Sequence, residues 1–129
     1  MTKVIQFAGL LNVLVLILHL YFPSLLKWSK YLPQMEGQNR AVYLTFHYIF
    51  LFILLLVCLV SLAFPASLLT ESTGIWFMLI IVGTYVIRFI SEFTFFPWSG
   101  KESWVILGFC VAFVGCYGLG IYSNLSGWA

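Results

Sequence analysis

Charge is what this sequence has least of. Its 129 residues include six Lys/Arg and four Glu, and aspartate is absent altogether. That is 8% charged, against about 25% for a soluble globular domain. So few ionic side chains cannot coat a water-soluble protein of this size, which excludes a cytosolic enzyme and a disordered tail. A net charge of +2 is spread too thinly to hold a polyanion, so nucleic acid is excluded as a partner. Cysteine is scarce as well. Cys58, Cys110 and Cys116 are odd in number and form no C-x-x-C pair, so the expected role is that of small apolar side chains, and c-type haem attachment is excluded. No phosphate-cradling glycine loop, metalloprotease motif or nucleophile elbow occurs, so no residue is designated catalytic and no metal site is expected.

What the chain does have is apolar length. Hydrophobic residues make up 63% of it, and the mean hydropathy is +1.07. Four stretches, 4–22, 42–64, 74–96 and 103–123, meet the requirement of about 20 residues for a helix crossing a bilayer. A barrel would need alternating runs of about ten residues, and stretches such as Leu14-Val15-Leu16-Ile17-Leu18 do not alternate. The first stretch runs into His19-Leu20-Tyr21-Phe22-Pro23, not into a small-x-small cleavage site, and is expected to remain as a helix. The expected fold is therefore all-α: a single polytopic domain over 1–129, with four transmembrane helices in an antiparallel bundle.

Pro23, Pro65 and Pro97 fall just past span ends, where a missing N–H stops a helix. Ser72 and Thr73 are candidate caps for the third span, and Ser99-Gly100-Lys101-Glu102 reads as a capping box opening the fourth. Trp28, Tyr31, Trp98, Trp104, Tyr122 and Trp128 gather near span ends like an interfacial aromatic belt. Lys27, Lys30, Arg40 and Lys101 lie in the first and third loops, against Lys3 alone at the amino terminus. The positive-inside rule then places these two loops in the cytoplasm and both termini outside, in the cell (inner) membrane. In the first loop, Leu25, Trp28 and Leu32 share one helical face, which predicts either a short interfacial helix or a connector hugging the surface.

Ionisable residues inside spans carry the functional argument. Arg at mid-helix costs about 2.5–3.5 kcal/mol to insert, so such residues are kept for a reason. Asn12 and His19 share a face of the first span, His47 and Ser61 a heptad stripe of the second, and Thr84, Tyr85, Arg88 and Glu92 a stripe of the third. His19, His47, Arg88 and Glu92 all fall in the halves next to the first and third loops. This predicts a ligand-binding polar pocket lined by His19, His47, Tyr85, Arg88 and Glu92 near the cytoplasmic interface. The competing expectation is a structural cluster in which Arg88 and Glu92 neutralise each other and each histidine meets a carbonyl or a headgroup. In the fourth span, Gly108, Ala112, Cys116 and Gly120 recur every four residues, a helix-packing ribbon for use within the bundle or against a second chain.

The landmarks His19-Leu20-Tyr21-Phe22, Trp28, Asn39-Arg40, Phe46-His47, Ile87-Arg88-Phe89 and Glu92-Phe93 resemble, in kind and order, a group of small bacterial four-helix integral membrane proteins without an assigned activity. In layout only, the chain is also similar to the MAPEG family of membrane glutathione transferases and eicosanoid enzymes, which are four-helix proteins with a basic first loop. Asn39-Arg40 falls near that family's second-helix motif, but Arg40-Ala41-Val42-Tyr43-Leu44-Thr45-Phe46 stands in place of its Arg-Ala-His-x-Asn-x-x-Glu pattern.

The leading functional expectation is binding, with or without chemical modification, of an amphipathic or lipid-like molecule entering from the bilayer. Arg88 would hold an anionic head, Glu92 would orient it, and His19 or His47 would move a proton. The alternatives are an accessory or scaffold subunit of a larger membrane complex, a redox protein with haem b between His19 and His47 or with a quinone, a homo-oligomer, and a small transporter.

Overall fold

The computed structural model describes residues 1–98 and 100–127; Ser99 and Trp128, named above, lie outside the described residues. Four helices, α1 (Thr2–Leu25), α3 (Gly37–Ala63), α5 (Ser72–Thr94) and α6 (Lys101–Ser126), are long and apolar enough to span a membrane. Among the described residues there is no strand. The first loop folds into α2 (Trp28–Tyr31) and a 3₁₀ turn at Leu32–Gln34, and the second into α4 (Pro65–Thr70). The multi-pass all-α architecture is as the apolar runs require. Large apolar side chains such as Trp76, Ile80, Ile87 and Leu125 stand on its outer surface, and a surface this apolar needs lipid, not water, as its solvent.

Local chemistry explains where the elements start and stop, with two departures from the sequence reading, at Pro23 and at the start of α5. Pro23 does not end the first span: α1 continues through it to Leu25. In the last turn a proline forfeits only its own bond to the His19 carbonyl, and the Leu26 N–H still reaches the Phe22 carbonyl at 2.8 Å. Pro65 both follows α3 and opens α4 as its first residue, a position where the absent N–H costs nothing. Ser72 and Thr73 do not cap α5, whose capping position is Glu71. That corner is held from outside instead: the Asn124 side-chain amide donates to the carbonyls of Leu68 and Glu71, each at 3.0 Å. At the start of α6, Gly100 sits at φ 68°, a left-handed conformation for which only glycine is unstrained.

The spanning helices form two antiparallel hairpins, α1 on α3 and α5 on α6, joined by α1 against α6 and by α4 wedged among α1, α5 and α6. Glycine permits several of these contacts, including Gly74 of α5 against the Leu68 backbone of α4. A Cβ on Gly9 would lie 3.0 Å from the Leu62 side chain, and one on Gly120 would lie 2.7 Å from Met78 Sδ and 2.8 Å from Ile5 Cδ1. The core is lopsided. In α1 the buried residues are Ile5, Ala8, Gly9 and Asn12, and in α3 they are Leu54, Val57, Cys58 and Ser61. Both sets belong to the half that holds the termini and the second loop. Toward loops one and three, α5 and α6 still bury Glu92, Ser103 and Leu107, whereas the facing residues of α1 and α3 are only half-buried. The hairpins thus close on each other at one end and leave facing surfaces half-covered at the other.

Candidate functional site

Polar groups in a lipid-embedded bundle must find partners inside the protein, because the surrounding hydrocarbon offers none. The spans answer this in two layers. At mid-bundle, one residue from each spanning helix joins a single buried network. The Tyr85 hydroxyl donates to Asn12 Oδ1 at 2.6 Å. Asn12 Nδ2 donates to the Ala8 carbonyl at 3.0 Å and to the Tyr117 hydroxyl at 3.1 Å. Ser61 Oγ lies 2.7 Å from the Tyr117 hydroxyl. Tyr117 thus links Asn12 of α1 to Ser61 of α3. The Tyr85 ring stacks on Phe113 at 4.1 Å, so ring and hydroxyl are both fixed.

The second layer lies at the half-covered end. The Arg88 Nη1 and Glu92 Oε2 atoms approach to 2.9 Å, with the Arg88 side chain 32% exposed and that of Glu92 2% exposed. At that distance the guanidinium and the carboxylate form a charge-assisted ion pair along one turn of α5. The Ser103 hydroxyl on α6 hydrogen-bonds the Glu92 carboxylate. The Arg88 guanidinium also covers the Phe96 ring, 4.3 Å from its centroid.

On α1, the His19 Nδ1–H donates to the Val15 carbonyl at 2.8 Å, which leaves Nε2 as the free ring nitrogen. The ring packs on Phe22 and on the edge of Phe50 of α3, at 4.3 and 4.9 Å. His47 sits edge-on to the buried Trp28, 4.7 Å away, and Trp28 in turn meets Tyr43. The first-loop helix is therefore anchored through its tryptophan while Lys27 and Lys30 stay exposed. His19 lies within electrostatic reach of both His47 and Arg88.

Of the five residues expected to line one pocket, His19, His47, Arg88 and Glu92 thus share the half-covered end. Tyr85 is directed to the mid-bundle network. Tyr117 and Ser103 were not singled out from sequence, and their only signal was the rule that a hydroxyl within a span requires an internal partner. The ribbon on α6 divides: Gly120 is buried against α1 and α5, Ala112 and Cys116 are half-buried, and a Cβ on Gly108 would meet nothing. Cys58, Cys110 and Cys116 are free thiols. Among the described residues, no group of three or more His, Cys, Asp or Glu is placed to hold a metal ion. Comparison with protein-family models, curated proteins and solved structures finds no match to this chain.

Proposed function

We propose that the protein binds an amphipathic, lipid-like molecule with an anionic headgroup at the end of the bundle formed by loops one and three. The observation that carries this reading is the two-sided setting of Arg88. One side of its guanidinium is held at 2.9 Å from a buried carboxylate, and a third of the side chain remains exposed. A guanidinium presents five donors in a rigid fork, which suits a phosphate or carboxylate head. His19, with Nε2 free, stands within electrostatic reach, and the half-buried faces of α1 and α3 offer apolar surface for a tail. With the basic loops inside, the headgroup would be taken from the cytoplasmic leaflet of the cell membrane.

The test is selective retention. Purified protein is titrated with phosphatidylglycerol and, in parallel, with phosphatidylcholine, and bound lipid is counted by native mass spectrometry. The wild type is expected to prefer the anionic lipid, and Arg88→Gln to lose that preference by about tenfold, the equivalent of one charge-assisted hydrogen bond. An Arg88→Gln protein with undiminished preference overturns the reading.

A further inference from the structure

The pairing of Arg88 with Glu92 sets a condition on any anion that Arg88 receives. Glu92 is 2% exposed, and among the described residues its charge is offset by the Arg88 guanidinium at 2.9 Å and the Ser103 hydroxyl. From α6, Cys110 also lies within electrostatic range of Arg88 and Glu92, and it is a free thiol that brings no positive charge. From α1, the group in range of Arg88 is His19, and His47 of α3 reaches His19 in turn. No further cation appears among the groups these interactions identify. When an anionic head engages the exposed side of Arg88, one positive charge must serve two negative ones in a low-dielectric setting, where such an imbalance is costly. The Arg88–Glu92 ion pair is then the contact that the incoming anion competes with.

We infer that anion binding at Arg88 is coupled to the uptake of one proton from solvent by the buried Glu92 carboxylate. The inference rests on the binding reading above and adds its regulation. The free protein holds Arg88⁺ and Glu92⁻, and the occupied protein holds Arg88⁺, the bound anion and a neutral Glu92 carboxyl that still hydrogen-bonds Ser103. The charge of the site is zero in both states. By linkage, affinity rises as pH falls, by about tenfold per pH unit across the range in which uptake is complete. The site would therefore fill on the acidic side and empty on the alkaline side.

The probe is decanesulfonate, whose headgroup stays singly charged throughout the useful pH range, so any pH dependence belongs to the protein. Calorimetric titration of the full chain in detergent, in buffers of different ionisation enthalpy, counts protons taken up per molecule bound. One proton is expected for the wild type, none for Glu92→Gln, and one for His19→Gln. Infrared difference spectra of the wild type need no variant: addition of decanesulfonate is expected to produce the carbonyl stretch of a protonated carboxyl, shifted in heavy water. Binding that requires Arg88 but takes up no proton, or uptake that persists in Glu92→Gln, overturns the coupling and leaves the binding reading standing. Absence of binding, or binding undiminished in Arg88→Gln, overturns both.

Discussion

Tyr85 and Asn12, 73 residues apart in the chain, share a hydrogen bond of 2.6 Å at the centre of the bundle, the shortest link in a network that takes one side chain from each spanning helix. Asn12 is its hub, since its amide serves Tyr85, Tyr117 and its own helix together.

Removing the hub is therefore expected to cost more than removing a spoke. Asn12→Leu leaves the Tyr85 hydroxyl without its acceptor and Tyr117 with Ser61 alone, and should destabilise the bundle by about 1–3 kcal/mol. Tyr85→Phe deletes one inter-helix bond and should cost about 0.6 kcal/mol, the usual worth of such bonds in membranes. Reversible unfolding in mixed detergent and SDS micelles measures both. Equal losses would show that Asn12 is not the hub.

Two glycines of α6 give a contrast in packing. At Gly120 an added Cβ would press on Met78 and Ile5, whereas at Gly115 it would meet nothing. Gly120→Leu should cost about 1–3 kcal/mol through overpacking. Gly115→Leu, facing outward, should stay within about 0.5 kcal/mol of wild type. The same unfolding assay checks the pair.

The Asn124 amide holds the α4–α5 corner through two carbonyls. Asn124→Ala should leave both without that donor and speed amide hydrogen exchange over the second loop and α4. Exchange in the α1–α3 hairpin should not change. Protection that is unaltered throughout would mean that solvent replaces the amide without loss.

The orientation derived from the basic loops is checked by labelling. The native cysteines lie within the spans α3 and α6, so an impermeant maleimide should leave them alone. Glu36→Cys and Lys101→Cys should react only when the cytoplasmic face is exposed, and Thr2→Cys only from outside. The reverse pattern would place the Arg88 site at the outer leaflet.

Much of the fold was legible because the bilayer imposes so strict a length. Runs of apolar residues can satisfy their backbone in hydrocarbon only as helices, so four spans follow from composition and spacing. For the first loop, Leu25, Trp28 and Leu32 on one face left a short helix and a surface-hugging connector both open; the structure forms α2 over Trp28–Tyr31, with Leu25 closing α1 and Leu32 opening the 3₁₀ turn. The α4 segment was not legible, because six residues between two spans carry no periodicity to read, and what holds it is Asn124 from the far end of the chain. The ends of α1 and α5 shifted for similar reasons, one running through Pro23 and the other starting beside a corner fixed by a distant amide.

The candidate site divides along the same line. Helical periodicity places Tyr85, Arg88 and Glu92 on one stripe and cannot say which neighbour each will meet. That depends on how each helix is rotated and on which helices adjoin, and both are set by packing, by Gly9 and Gly120 allowing close approach and by Phe113 stacking on Tyr85. Hence Tyr85 went to Asn12, which in turn meets Tyr117, while Arg88 stayed at the half-covered end with Glu92, Ser103 and His19.

By itself, the near absence of charge determined the solvent this protein requires, the number of its spans and the two charged residues within them that call for an account. The tertiary structure decided who answers whom: a network closed among four helices, and an arginine held on one side and open on the other. The division has a physical cause. Transfer into lipid is a property of each residue, summed along the chain, whereas the pairing of buried polar groups exists only once separate helices have met.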